Sequence, residues 1–122
     1  MNPIPGVGLD LLDIGRLERA LDRRPGLAAR LFDHSEIEAC AKRARPARHL
    51  AARFCAKEAA IKALGLQWAT MTDIIVCGGG GQPPSLRLKG RAAKVCEEAG
   101  VELKLSLTHE RDMAAAVVVA SR

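Results

Sequence analysis

The sequence predicts an α+β fold: a mainly antiparallel sheet packed against one long buried helix, with shorter helices around it. Three observations carry this. The stretch Arg48–Gly65 (RHLAARFCAKEAAIKALG) is rich in alanine, has no internal Gly or Pro, and ends on a glycine where a C-terminal cap belongs. Strand patterns stand near both ends of the chain, at Val7–Ile14, Val101–Thr108 and Ala114–Ala120. Between them, Asp73–Cys77 and Ser85–Leu88 flank a glycine- and proline-rich turn, the pattern of a hairpin. The 122 residues are expected to form one domain, long enough for a core.

Taken in order, Met1–Pro5 is a short lead. In Val7–Ile14, period two puts Val7, Leu9 and Leu11 on one face and Gly8, Asp10 and Leu12 on the other. Asp10 is out of place in a strand interior; Asp13 reads as a strand-end residue. Arg16–Arg24 reads as a basic amphipathic helix broken by Pro25-Gly26, exposing Arg16, Arg19, Arg23 and Arg24. Leu27–Phe32 makes a short helical turn. Ser35 with Glu38 fits a capping box for a helix through Ala41. Lys42–Arg48 is a basic loop, interrupted by Pro46, at the N-terminus of the long helix. That place suits phosphate, because the helix dipole adds positive potential.

Along the long helix, at about 100° per residue, Leu50, Phe54 and Ile61 form an apolar stripe. Ala52, Ala56, Ala59, Ala60 and Ala63 line the opposite side, small enough for another element to pack closely. Glu58 and Lys62 stand at one edge of the stripe, Arg53 and Lys57 at the other. Glu58–Lys62 reads either as a surface ion pair in the favoured order or as a carboxylate and an ammonium presented into a cleft. Leu66–Thr72 is a link. Gly78–Gly81 and Gln82-Pro83-Pro84 make a long turn, the glycines implying a mobile loop or a close backbone approach. Gly90–Ala99 is a helix capped by Gly100. After the strand Val101–Thr108, His109–Asp112 turns the chain into the apolar strand Ala114–Ala120.

A net charge of +5 points to an anionic partner. Aromatic residues are only 2% of the chain, too few for stacking on single-stranded bases. The four cysteines show no C-x-x-C spacing and read as reduced core residues. No charged start followed by an apolar run opens the chain, and no run is long enough to span a bilayer, so a cytoplasmic protein without membrane contact is expected.

Three pieces are more specific: G-V-G-L-D at Gly6–Asp10, R-F-C-A-K-E-A-A-I-K-A-L-G at Arg53–Gly65, and S-L-T-H-E at Ser106–Glu110. With these in this order, the whole chain resembles the holo-acyl-carrier-protein synthases, the short 4′-phosphopantetheinyl transferases. The resemblance implies that family's fold and its reaction: the phosphopantetheine arm of coenzyme A moves to a serine of acyl carrier protein, releasing adenosine 3′,5′-bisphosphate. It implies Mg²⁺ held by Asp10 and Glu58, with Glu58 the candidate to take the serine proton. Lys62 would contact the phosphates with His109 beside them. Arg45 and Arg53 would bind the nucleotide end, and Gly65, Pro83 and Thr108 would complete the coenzyme A site. Arg16 would meet the acidic carrier protein, and a homotrimer would hold its sites between subunits. One departure is Gln82, where relatives have Lys in a G-K-P turn; the Gly78–Gly81 run is another. The alternatives are a small basic nucleic-acid-binding module and a non-catalytic carrier-protein adaptor.

Overall fold

The long helix starts earlier than its alanine content alone indicates. The computed structural model describes residues 3–79 and 81–122, leaving out Met1 and Asn2 of the lead and Gly80 of the glycine run. In it the order is β1 (Val7–Asp13), α1 (Ile14–Arg23), α2 (Leu27–Leu31), α3 (His34–Ala41), α4 (Pro46–Leu64), a 3₁₀ helix (Trp68–Asp73), β2 (Ile74–Gly79), β3 (Gln82–Leu88), α5 (Gly90–Ala99), β4 (Glu102–Glu110) and β5 (Met113–Ser121). Pro46, expected to interrupt a loop, is the first residue of α4. Its ring fixes φ for a helix and its missing N–H would have had no partner there. Gly65 closes α4 in the left-handed conformation, at φ 68°.

β1, β5 and β4 form a three-stranded antiparallel sheet in that order, and β2 pairs with β3 in a separate hairpin. The sheet lies on the alanine side of α4, where Ala52, Ala56, Ala59, Ala60 and Ala63 are all buried. Contact is closest at Gly8, where an added Cβ would stand 1.8 Å from the Ala59 carbonyl oxygen. Only a residue without a side chain fits there.

Several local expectations change. The helix α3 is capped by Asp33, not Ser35: the Asp33 carboxylate accepts from Ser35 N–H at 3.0 Å, while Glu36 Oε1 accepts from Asp33 N–H at 2.9 Å. The capping box is therefore Asp33/Glu36, drawn there because Glu36 is also pulled into the core. His109 belongs to β4, opposite Ala114, because pairing runs on to Glu110 opposite Met113. Arg111 and Asp112 alone make the turn. Gly78 and Gly79 belong to β2. At Gly78, with φ 87°, a Cβ would meet the Pro83 carbonyl oxygen at 2.3 Å, so the close backbone approach is to the chain's own partner strand. The link after Gly65 is largely the 3₁₀ helix.

β2 shows one edge to β3 and turns the other toward α4. Residues two apart point their backbone groups to the same edge, and the α4-facing edge is satisfied by side chains. Lys57 Nζ donates to the Ile74 carbonyl at 2.7 Å, and the Arg53 guanidinium donates to the carbonyls of Val76 and Gly78. Glu36 Oε2 accepts from Val76 N–H at 2.9 Å. Lys57 and Glu36 are themselves an ion pair at 2.6 Å with neither side chain exposed, and the ammonium lies 5.4 Å from the centre of the Phe32 ring. Burial pushes the Lys57 pKa down and the Glu36 carboxylate opposes that. All four cysteines are free, Cys40 and Cys55 fully buried. Among the described residues no helix is long and apolar enough to cross a membrane.

Removing one member of a buried pair leaves the other charged and desolvated. Lys57→Met should therefore cost about 3–5 kcal/mol, read as a lower denaturation midpoint. An unchanged midpoint would mean that Lys57 does not hold α3 and β2 to α4.

Candidate active site

The strand alternation that buries Gly8 against α4 sends Asp10, two residues on, to the same face. There it meets the flank of α4 carrying Glu58 and Lys62. Lys62 Nζ donates to the Leu9 carbonyl at 2.8 Å and lies 3.4 Å from Asp10 Oδ1, 52 residues away in sequence. Asp10 keeps only 18% of its side chain exposed, against 51% for Lys62, so the ammonium reaches inward from the surface. Glu58 Oε1 instead accepts from Trp68 Nε1 at 2.6 Å. The surface ion pair between Glu58 and Lys62 is thus not formed; Asp10 and the Leu9 carbonyl together offer Lys62 two acceptors.

Cys55 reports on this neighbourhood. Its thiol donates to the Ala114 carbonyl at 3.6 Å, and its pKa is pushed up to about 12, first by burial and then by the Asp10 and Glu58 carboxylates. Asp10 comes from a strand and Glu58 from the helix flank that this strand faces. Their donors are all oxygen, which fits magnesium, commonly held by one or two carboxylates with waters and substrate phosphates. Among the described residues no group of three or more His, Cys, Asp or Glu could hold a metal.

A second cluster lines the other flank of α4. A cleft of about 310 Å³ is lined by Arg43, His49, Arg53, Cys77, Thr108 and His109 among others. The His49 and His109 rings meet edge to face, centroids 5.6 Å apart. Burial first, then the charges of Arg43 and His109, pushes the His49 pKa below its ordinary value, which favours the neutral imidazole. Its part in the cleft was not anticipated, although its spacing four residues before Arg53 puts both on one helix face.

The remaining candidates spread out. Arg45, the residue before α4, has its guanidinium 3.8 Å from Glu18 and 3.7 Å from Asp112, and it is Arg43 that lines the cleft. Pro84, not Pro83, lines it too. Gly65 borders a different groove with Leu64 and Val95. Arg16 is exposed in the first turn of α1, which Asp13 caps through the Arg16 N–H at 3.1 Å. Arg53 and Lys62, nine residues apart, point about 180° from each other around α4. Within one chain, then, Asp10 and Lys62 come together on the flank of α4 that also carries Glu58, and Arg53, Thr108 and His109 line the cleft on the opposite flank.

A family model described as the 4′-phosphopantetheinyl transferase superfamily matches residues 6–118. The holo-[acyl-carrier-protein] synthase of Moorella thermoacetica is 44% identical over 115 residues, covering 92% of this chain and 90% of that relative. Among solved structures, the holo-[acyl-carrier-protein] synthase of Neisseria meningitidis superposes with a TM-score of 0.84 at 29% identity, covering 98% of this chain and 100% of the other. The Helicobacter pylori enzyme of that name, solved in complex with coenzyme A, gives a TM-score of 0.79 at 27% identity, covering 94% of this chain and 99% of the other.

The approach at Gly8 sets how near Asp10 comes to α4. Gly8→Ala should destabilise the fold by about 3 kcal/mol or more, because the new methyl group meets backbone that cannot swing away. Thermal melting checks this, and a melting temperature equal to the parent's would contradict the contact.

Proposed function

The chain belongs to the 4′-phosphopantetheinyl transferase superfamily, and we propose that it transfers the 4′-phosphopantetheine arm of coenzyme A to a serine of apo-acyl carrier protein. The other product is adenosine 3′,5′-bisphosphate. The observation that carries this reading is the Asp10 carboxylate, set 3.4 Å from the Lys62 ammonium on the flank of α4 that also carries Glu58. Such a set suits a diphosphate whose charge must be neutralised. Bound magnesium would supply Lewis-acid stabilisation of charge on the phosphoryl oxygens.

In this reading Asp10 and Glu58 hold the cation, and Lys62 leaves Asp10 to bind phosphate. Glu58 takes the serine proton as the serine oxygen attacks phosphorus and the bond to the nucleotide phosphate breaks. Arg53, Thr108 and His109 contact the nucleotide end, together with Arg43 and His49. Arg45, Gly65 and Pro83 stand outside the lining of that cleft. Arg16, with Arg19, Arg23 and Arg24 along the exposed face of α1, meets the acidic carrier. Four free thiols suit the reducing cytoplasm.

The division of the site between two flanks of α4 supports a homotrimer with active sites between subunits, one subunit supplying the carboxylates and its neighbour the cleft. The sheet face turned away from α4 supports it too. Val7, Leu9 and Leu11 are 57%, 64% and 64% exposed, beside Val119 and Met113. An apolar patch of that kind marks an interaction surface.

Incubation with coenzyme A, Mg²⁺ and apo-acyl carrier protein should add the phosphopantetheine mass to the carrier's serine, and chelation should stop it. Asp10→Ala and Glu58→Ala should each lower turnover by at least about a hundredfold without lowering the melting temperature. Near-normal turnover of either at ordinary Mg²⁺ would sink the assignment, and salt-sensitive duplex binding with no mass gain would favour the nucleic-acid module instead. Leu11→Glu should yield monomers by sedimentation and lose transfer while keeping its circular dichroism. Retention of the parental assembly would place the interface elsewhere.

A further inference from the structure

Trp68 is the chain's single tryptophan, and burial does not explain its position, since 54% of it is exposed. Its backbone is nonetheless well held. After the Gly65 cap, Leu66 N–H returns to the Ile61 carbonyl at 2.9 Å, and Thr70 clamps the Gln67 carbonyl with its N–H at 3.1 Å and its hydroxyl at 2.7 Å. This reversal lays the indole beside α4, where Nε1 donates to Glu58 Oε1 at 2.6 Å. The hydrogen bond from the indole goes to Oε1 alone, and Glu58 Oε2 accepts none from any described residue. A glutamate on a helix flank has several rotamers open to it, and ordering it costs entropy. A charge-assisted hydrogen bond from a rigid ring selects one of them.

We infer that Trp68 is a positioning residue for Glu58: its indole N–H holds Oε1, so that Oε2 is presented to the divalent cation. The inference rests on the reading of Asp10 and Glu58 as cation ligands. Hydrogen-bond partners of metal-binding groups tune affinity by about 10–100-fold, and Trp68 acts at that level rather than on the reacting atoms. Its exposed ring also borders a groove with Arg24, Leu27 and Arg30. A role confined to docking the carrier there would leave cation binding untouched.

The test uses Mn²⁺ as the probe, with coenzyme A present. In the parent protein Mn²⁺ should quench the tryptophan emission saturably, because the only indole touches a proposed ligand. Trp68→Phe keeps the ring and removes the N–H. By electron paramagnetic resonance of free Mn²⁺, its dissociation constant should rise at least about tenfold. The Mg²⁺ needed for half-maximal transfer should rise in parallel, with the melting temperature and the KM for carrier protein unchanged. Parental Mn²⁺ affinity in Trp68→Phe, or a change confined to the carrier KM, would overturn the inference. So would unquenched emission at saturating Mn²⁺ in a parent protein that transfers normally, and there the transferase reading would stand. A parent protein that neither binds Mn²⁺ nor transfers would remove both.

Discussion

The contact between Gly8 and the Ala59 carbonyl is the constraint on which the rest of the molecule depends. A strand and a helix can come this close only where neither carries bulk, and the chain meets that with a glycine on β1 and a row of alanines on α4. Along this contact close backbone approach replaces side-chain volume. Its chemical consequence follows from strand geometry. With Gly8 against the helix, Asp10 must face the helix as well, and a carboxylate is carried to Lys62.

On the opposite flank a different device operates. Arg53 and Lys57, one turn apart on α4, reach the carbonyls of Ile74, Val76 and Gly78 along the free edge of β2. Exposed strand edges invite pairing with other chains; here a guanidinium, an ammonium and the Glu36 carboxylate cover one. The same contacts hold the β2–β3 hairpin at a set distance from α4 and so open the cleft between it, α3 and β4. Arg53 is therefore a wall of that cleft as well as a cation in it. The single helix α4 thus carries Glu58 and Lys62 on one flank and His49 and Arg53 on the other. Their separation on the helix follows from residue spacing alone.

What the sequence by itself determined was local. Periodicity, caps and breakers placed the strands and α-helices to within a few residues, because those signals act over one or two turns of chain; the 3₁₀ helix Trp68–Asp73 was read as a link. Asp10 and Glu58 were legible as chemical candidates because each is a charge in an otherwise apolar element, and the three motifs around them resembled one family. Tertiary structure decided the partners. Lys62 turned from Glu58, four residues away, to Asp10, 52 residues away; Glu58 took the indole of Trp68; Asp33 displaced Ser35 as a cap because Glu36 was drawn inward by Lys57. His109 fell on the flank away from Lys62, beside His49. The physical reason is common to all of these. A side chain's choice among acceptors depends on burial and on groups supplied by remote segments, and no pattern of neighbours along the chain encodes that.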